Sequence, residues 1–316
     1  MLFNKLKKVE VFAPASIGNV ACGFDVFGLA LEYPGDKVIV RWRNKPGVVI
    51  TAITGDNGQL PVDAEKNTAG VSVIRFLKHI ECQRGIEIEL HKMMPIGSGL
   101  GSSSASTVAS VFAANVLAGK PLTRENLLPF ALQGEKVACG SAHADNAAAC
   151  LYGGFILVRS YNPLDIISIP IPAGLYCALI YPKIEILTRD ARKLLPDAIS
   201  LKTGIMQWAN TAGLVAGFMK PDFDLIRRSL QDVVAEPARS RLIPGFQEIK
   251  QAALDAGALG SSFSGSGPSI FALCKNKSDA YQSAMAMQAV LAPKNIGCDL
   301  FITRINRKGP RIIKSR

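Results

Sequence analysis

The segment PIGSGLGSSSAST, residues 95–107, constrains the fold most narrowly, because it combines three glycines with five serines and a threonine. It directly follows GIEIELHKMM, in which Ile86, Ile88 and Leu90 alternate with the period of a half-buried strand. The next stretch contains no proline and predicts a helix over roughly residues 103–118, ending where Gly119 can adopt the left-handed conformation. The pattern therefore predicts a strand, a glycine-rich loop and a helix in direct succession.

Such a junction can bind an anion. Free backbone N–H groups and the positive end of the helix dipole meet there, and glycines allow a close approach of the chain to a phosphate. The P-loop pattern fails because its lysine is absent, and the dinucleotide pattern fails because Ser102 stands where its third glycine belongs. The hydroxyl of Ser102 or Ser103 could meet a phosphate or Mg²⁺. A flexible turn with incidental serines is equally compatible with this segment alone.

Length and composition exclude several classes of protein. A chain of 316 residues predicts two domains or one large layered domain. Its seven scattered cysteines form no C-x-x-C pair, so we expect neither a disulfide framework nor a zinc site. No stretch has the length and apolar character of a membrane span, and the lysine-containing N-terminus has no apolar signal-peptide core, so we expect a cytoplasmic protein.

The formal net charge of +11 raises the question of a nucleic-acid or anionic partner. The densest basic cluster, TRINRKGPRIIKSR, has no aromatic residue for stacking on bases, and a solvated tail is the simpler expectation. The other arginines stand in small groups, which suit small anionic molecules at least as well as a polymer. We therefore expect neither a nucleic acid nor a membrane as partner.

The rest of the chain alternates between strand-like and helical stretches. VEVFAPASIG, DKVIVRWRN, CALIYP and CDLFITRI indicate strands, and ALGSSFSGSGPSIFALC indicates two strands joined by a second glycine-rich turn. Helices are predicted from about Thr123 to residue 140, around HADNAAACLYGG, and over TGIMQWANTAGLVAGFM, PGFQEIKQAALDAG and SDAYQSAMAMQAVLA. Strands and helices are mixed without a strict repeat, which favours an α+β fold over a doubly wound sheet.

Three of these stretches, in their order along the chain, carry a family resemblance. PASIGNVACGFDVFGLAL, PIGSGLGSSSAST and SFSGSGPS resemble the kinase superfamily named for galactokinase, homoserine kinase, mevalonate kinase and phosphomevalonate kinase. Together with GEKVACGSAHADNAAACLYGGF, LTRDARKLLP and EPARSRLIPGF, they are most similar to the homoserine kinases, over nearly the whole chain. One departure is Ala21, where many relatives have glycine.

The resemblance implies a two-domain α+β small-molecule kinase fold. A ribosomal-S5-like nucleotide-binding domain is expected over residues 1–165, a ferredoxin-like domain over residues 166–316, and the active site in the cleft between them. The implied reaction is the ATP-dependent phosphorylation of the L-homoserine hydroxyl in threonine biosynthesis, by a cytoplasmic homodimer. Two alternatives remain open: a sister kinase acting on another small alcohol, and a non-catalytic nucleic-acid-binding or regulatory derivative.

The resemblance also assigns the ATP and Mg²⁺ ligands. The expected nucleotide-binding residues are Asn67, for the purine, and, for the phosphates, Pro95, Gly97, Ser98, Gly99, Leu100, Gly101, Ser102 and Ser103. Ser103 and Glu135 are expected to hold Mg²⁺. A metal ion bound between the Glu135 carboxylate and the phosphates would explain why a glutamate is directed towards an anionic ligand. Without the resemblance, Glu135 would be read as a solvent-facing side chain paired with a lysine.

The amino-acid substrate needs an acid for its ammonium group and cationic donors for its carboxylate. The resemblance supplies Asp25 with Asn19 for the first and Arg239 with His143 for the second. Thr188, Arg192 and Asn146 are expected around the reacting hydroxyl and the transferred phosphoryl group. The resemblance leaves two alternatives for the hydroxyl proton: Asp145 accepts it, or the reaction proceeds without a definite base. Arg192, Asn146 and Asp145 are expected to form the catalytic set.

Overall fold

A computed structural model describes residues 6–140 and 144–315, the side chains of residues 137–139 excepted. Seven strands form the first sheet, in the order β11-β1-β2-β4-β3, with β5 and β6 continuing from β2. All its pairings are antiparallel except that of β3 with β4. Its strands are β1 Lys8–Gly18, β2 Phe27–Arg43, β3 Val48–Thr54, β4 Gly85–His91, β5 Phe155–Tyr161, β6 Leu164–Ile169 and β11 Arg311–Ser315.

Four helices pack together on this sheet, with α2 and α4 in contact with β1 and β2. Their bounds are α1 Thr68–His79, α2 Ser102–Leu117, α3 Leu128–Cys139 and α4 Ala144–Tyr152. Helix α2 is buried along almost its whole length, so its position on the sheet is fixed by packing. This central position makes the loop before α2 a rigid place for a ligand.

The second sheet has four antiparallel strands, β7 Tyr176–Pro182, β8 Gly260–Phe263, β9 Ile270–Cys274 and β10 Cys298–Arg304, in the order β10-β7-β9-β8. Helices α9, Phe246–Asp255, and α10, Lys277–Leu291, pack on one face. Counted along the chain, the strand order is fourth, first, third, second, which matches the expected ferredoxin-like arrangement. Four more helices lie between β7 and α9 in the chain: α5 Thr188–Lys193, α6 Leu201–Met219, α7 Phe223–Ser229 and α8 Ala235–Arg239.

Alternate residues along the strands of the second sheet belong to two different hydrophobic cores. On β7, Cys177 and Leu179 belong to the core shared with the first sheet, whereas Ala178 and Ile180 face α9 and α10. Both faces of this sheet are therefore buried, and the two halves of the molecule are packed through apolar side chains. None of the helices in the described part of the chain combines the length and hydropathy needed to span a bilayer.

The predicted α+β class is confirmed, and so is the strand, loop and helix succession around residues 85–117. The basic C-terminal segment is solvent-exposed as expected, but it is not a free tail, because β11 pairs with β1. The helix predicted from about Thr123 begins as a 3₁₀ turn, Glu125–Leu127, which leads directly into α3 at Leu128. Pro129 then stands in the first turn of α3, where a proline is accommodated. The predicted domain boundary at residue 165 falls inside β6, which pairs with β5, and the division stays a prediction.

Candidate active site

A cavity of about 290 Å³ lies where the glycine loop, the segment after β1, and α5 and α8 meet. Fifteen residues expected at the site line it: Asn19, Asp25, Asn67, Gly97, Ser98, Gly99, Gly101, Ser102, Ser103, Glu135, Asp145, Asn146, Thr188, Arg192 and Arg239. Pro95 and Leu100 are not part of the lining, and Leu100 is fully buried beneath the loop. His143 lies outside the described residues.

The three loop glycines all have left-handed backbones, with φ of 70° at Gly97, 78° at Gly99 and 69° at Gly101. A Cβ on Gly99 would stand 2.5 Å from the backbone oxygen of Ser264, in the second glycine-rich turn. The hydroxyl of Ser264 donates to the Gly99 oxygen at 2.7 Å, so the two turns are in direct contact. A Cβ on Gly97 would meet nothing within 4 Å, which leaves that part of the loop open to a ligand.

The first turn of α2 has no acidic residue, and Gly101 is its N-cap residue without a side-chain cap. Its terminal N–H groups are therefore available to an anion, as is typical of phosphate sites. The Ser102 hydroxyl donates to Asp36 at 2.7 Å, so its hydrogen is not available to an anion at the helix N-terminus. The Ser103 hydroxyl is buried, and among the described residues it has no hydrogen-bond partner. The structure thus distinguishes two serines that the sequence leaves equivalent.

A buried ion pair that sequence reasoning missed lies behind the loop. Lys92 pairs with Asp36, and its ammonium also donates to the Ser102 oxygen at 2.8 Å and to the Ser106 hydroxyl at 2.6 Å. The other carboxylate oxygen of Asp36 accepts the backbone N–H groups of Met93 and Met94 at 2.8 and 3.0 Å. The pair ties the end of β4 to β2 and to the first turn of α2. No local sequence signal distinguishes Lys92 from the other lysines of the chain, since its partner Asp36 is 56 residues away.

One carboxylate, Asp25, and two arginines, Arg192 and Arg239, occupy the other end of the cavity. Asp25 pairs with Arg192, and its backbone N–H donates to the Asn19 side-chain oxygen at 3.0 Å. Arg239 is only 4% exposed and donates from Nε to the Ala191 oxygen at 3.1 Å. Burial, and then the neighbouring Arg192, lower the pKa of the Arg239 guanidinium from its usual value. This end therefore presents one carboxylate and two cations within a small space.

Phe24, which sequence reasoning also missed, lies between the arginines. Its ring centroid is 5.6 Å from the Arg192 Cζ and 5.1 Å from the Arg239 Cζ, within the range of a cation–π interaction. The remaining unexpected lining residues are Leu60, Thr68, Leu90, Lys92, Ile96, Ser104, Ser106, Gly265 and Ser266. Of these, Ser266 shares a hydrogen bond of 3.1 Å with Thr188, which connects the second glycine turn to α5.

Asp145 is buried at the start of α4. Burial, and then the nearby Asp25, raise the pKa of its carboxyl from 3.8 to about 7. Asn146 beside it accepts the Ser16 hydroxyl at 2.9 Å. A carboxyl group that titrates near neutral pH and borders a cavity can exchange a proton with a ligand there.

Asn67 has a structural role of its own. Its side-chain oxygen accepts the N–H of Ala69 at 3.0 Å, which caps α1, and its amide donates to the Pro61 oxygen at 2.8 Å. Its predicted contact with a purine stays a prediction. Glu135, 3% exposed on α3, lies in the same cavity as Ser103. Among the described residues no group of three or more His, Cys, Asp or Glu side chains is placed to hold a metal ion.

Comparison with known proteins agrees with this geometry. Residues 67–154 match the family model described as GHMP kinases N terminal domain, and residues 214–292 match GHMP kinases C terminal. The homoserine kinase of Chloroherpeton thalassium is 50% identical, covering 98% of this chain and 100% of the relative. The chain belongs to the homoserine kinase family of GHMP kinases. The predicted resemblance is thereby confirmed.

Solved structures of the family extend the agreement to the fold. The crystal structure of homoserine kinase from Cytophaga hutchinsonii has a TM-score of 0.97 at 54% identity and covers 99% of both chains. The L. major mevalonate kinase structure, at 15% identity, has a TM-score of 0.68 and covers 93% of this chain and 95% of its own. The second comparison supports the fold alone. The two-domain kinase fold expected from the sequence is confirmed.

Proposed function

We propose that this chain transfers the γ-phosphoryl group of ATP to the side-chain hydroxyl of L-homoserine, giving O-phospho-L-homoserine and ADP, a step of threonine biosynthesis. One observation carries the proposal: a single cavity joins a glycine loop at a buried helix N-terminus to a carboxylate and two arginines. The loop suits a polyphosphate, and the opposite end suits a zwitterion with an ammonium and a carboxylate.

The triphosphate lies along the loop from Gly97 to Ser103. Backbone N–H groups and the positive end of the α2 dipole attract it, and no side chain in the first turn of α2 carries a negative charge against it. The open space beside Gly97 allows the phosphates to approach the backbone closely. Asn67, at the start of α1, is proposed for the purine.

Ser103 and Glu135 are proposed as the protein ligands of Mg²⁺. Mg²⁺ prefers oxygen ligands and is commonly held by one or two side chains together with substrate phosphates, so a larger protein cluster is not required. The buried Ser103 hydroxyl and the buried Glu135 carboxylate, in one cavity, fit that donor set. When bound, the ion supplies charge neutralisation between the phosphates.

The amino acid lies at the end formed by Asp25, Asn19 and Arg239. Asp25 and Asn19 receive the ammonium group, and Arg239, together with His143, receives the carboxylate. Because Arg192 pairs with Asp25, the ammonium group of the substrate replaces the guanidinium on this carboxylate. Arg192 is then free to face the phosphoryl group, beside Thr188 and Asn146.

In the chemical step, the substrate hydroxyl oxygen bonds to the γ-phosphorus while the bond from that phosphorus to the β-γ bridging oxygen breaks. The hydroxyl proton passes to Asp145, whose raised pKa suits it to accept a proton near pH 7 and release it afterwards. A loose transition state asks little of a base, so orientation by Asn146 and charge stabilisation by Arg192 contribute most.

The remaining expectations belong to the same proposal. They are a cytoplasmic homodimer without nucleic acid or membrane as partner, and a nucleotide-binding domain that ends near residue 165. Sedimentation of the purified protein tests the dimer. Binding to random DNA at low and high salt tests the nucleic-acid alternative, since an electrostatic complex weakens steeply with ionic strength.

Release of ADP from MgATP tests the reaction. L-homoserine, D-homoserine, L-serine, mevalonate and galactose are offered separately, with an EDTA control. We expect turnover largely confined to L-homoserine and abolished by EDTA. The variant Asp25→Asn should raise the KM for L-homoserine far more than the KM for ATP. Preference for another alcohol would refute L-homoserine as the acceptor. Inactivity of the folded protein with all five compounds would refute the proposed kinase activity.

A further inference from the structure

Gln207 is a buried polar residue of α6 that does not line the cavity. All of its side-chain groups are engaged. Its amide nitrogen donates to the Cys22 backbone oxygen at 2.8 Å and to the Asp232 carboxylate at 3.0 Å. Its oxygen accepts the N–H of Val233 at 2.9 Å. One side chain therefore connects two segments that are about two hundred residues apart in sequence.

The first of these segments presents Asp25. It is a turn in which three successive residues other than glycine, Asn19, Val20 and Ala21, have φ of 70°, 44° and 60°. Such residues disfavour the left-handed region, and a run of them persists only when its surroundings hold it. Gln207 binds the Cys22 oxygen directly after this run, and the Thr211 hydroxyl shares its hydrogen between that oxygen at 3.2 Å and the Gln207 backbone oxygen at 2.8 Å. Helix α6 thus holds the turn from the side opposite the cavity.

The second segment presents Arg239. The Asp232 carboxylate accepts the N–H groups of Val234, Ala235 and Glu236 at 2.9, 3.0 and 2.8 Å, which fixes the start of α8. Arg239 is the last residue of that short helix, so the position of the first turn of α8 determines the position of Arg239. The same carboxylate oxygen that binds Val234 and Ala235 binds Gln207.

We infer that Gln207 and Asp232 are positioning residues that set the separation between Asp25 and Arg239, and with it the affinity for the amino-acid substrate. The inference rests on the proposed function, because it takes these two residues as the ends of the zwitterion site. Neither Gln207 nor Asp232 touches the cavity. Their effect on catalysis therefore passes through the turn and through α8.

Kinetic constants separate positioning from simple support of the fold. A support role lowers the fraction of active protein and the Tm, and it leaves the KM of both substrates unchanged. A positioning role raises the KM for the amino acid alone, since the glycine loop that binds ATP is held by other contacts, among them Asp36 and Lys92.

The test uses Gln207→Leu, which keeps the volume and removes the amide. The matched control is Asn210→Leu, one turn along the same helix, which removes a hydrogen bond of 2.9 Å from Asn210 to the Gln231 oxygen but leaves the turn at Cys22 held. Because a misplacement of about 1 Å can cost roughly a hundredfold, we expect the KM for L-homoserine to rise about tenfold in Gln207→Leu. The KM for ATP should stay within about twofold in both variants.

Thr211→Val, a nearly isosteric change that removes the second bond to Cys22, provides an independent measurement if Gln207→Leu does not fold. It should raise the KM for L-homoserine about threefold. An unchanged KM for L-homoserine in the folded variants, or an equal rise in the KM for ATP, would overturn the inference and leave the proposed function intact. If the wild type instead phosphorylates another acceptor, the proposed function fails and the same KM comparison for that acceptor decides the inference. If it phosphorylates none of the five, both are refuted.

Discussion

Asp145→Asn should stabilise the protein and lower its activity. The carboxyl is 2% exposed, and burial with the neighbouring Asp25 raises its pKa from 3.8 to about 7. The folded protein therefore binds this proton more tightly than the unfolded chain does. Below about pH 4 the carboxyl is protonated in both states and costs nothing, whereas the folded state loses relative stability as pH rises from 4 to 7.

The size of the effect follows from the two pKa values, which differ by about three, and each pH unit corresponds to about 1.36 kcal/mol. The wild type therefore carries a cost of about 2 kcal/mol at pH 5 and about 4 kcal/mol at pH 8. An asparagine keeps an acceptor oxygen and has no charge to bury. For a chain of this length the unfolding entropy is roughly 0.7 kcal/mol/K, so the Tm should rise by about 6 °C at pH 8.

Thermal unfolding of the ligand-free protein between pH 5 and pH 8 measures this difference. The gain in Tm of Asp145→Asn should increase from about 3 to about 6 °C over that range. The exposed Asp197, changed to asparagine, provides the control and should show no such trend. A gain that does not depend on pH, or a less stable variant at pH 8, would refute the reasoning. The same variant should lose at least about a hundredfold in kcat if Asp145 accepts the proton.

Three further variants test other parts of the site. Lys92→Met leaves the buried Asp36 carboxylate without its cation. The resulting destabilisation of about 3–5 kcal/mol should lower the Tm by about 5–7 °C. A Tm within about 2 °C of the wild type would contradict this expectation. Ser103→Ala should raise the Mg²⁺ concentration for half-maximal rate about tenfold without changing the Tm, as measured by Mg²⁺ titration. Arg192→Met leaves Asp25 without its guanidinium partner. Calorimetry should therefore give a two- to fivefold lower Kd for L-homoserine, while kcat falls by about 10²–10³. A Kd higher than that of the wild type would exclude the replacement of Arg192 by the ammonium group.

The local parts of the site could be predicted because their signals are local. The alternation of apolar residues before residue 95 and the glycine spacing that follows fix a strand, a loop and a helix with almost no reference to the rest of the chain. The predicted helix start at residue 103 is one residue from the observed start at Ser102. The family resemblance then added residues such as Asp25 and Arg239, which no local pattern connects.

The contacts that hold the site could not be predicted in this way. Lys92 and Asp36 are 56 residues apart, and Gln207 and Cys22 are 185 apart, so neither pair leaves a periodic or spacing signal. In sequence, Lys92 is one of many positive charges in a basic chain, and its burial follows only from the packing of three elements. The backbone order of the basic C-terminal segment could not be predicted for a similar reason. Its exposed side chains resemble those of a tail, and its structure comes from backbone pairing with β1.

The three loop glycines illustrate how one sequence pattern serves different physical needs. All three require a left-handed backbone, yet their surroundings differ. Gly97 faces open space, Gly99 faces the backbone of the second glycine turn, and a Cβ on Gly101 would stand 2.2 Å from the Ser16 hydroxyl. Only the first therefore leaves room for a ligand, while the other two allow the loop to contact the rest of the protein. Because the second glycine turn also accepts hydrogen bonds from Asn19 and Arg239 at Gly265, it joins the nucleotide end of the cavity to the amino-acid end. One short turn thus contacts both ends of the cavity, so residues that follow strands of the two sheets border one continuous site.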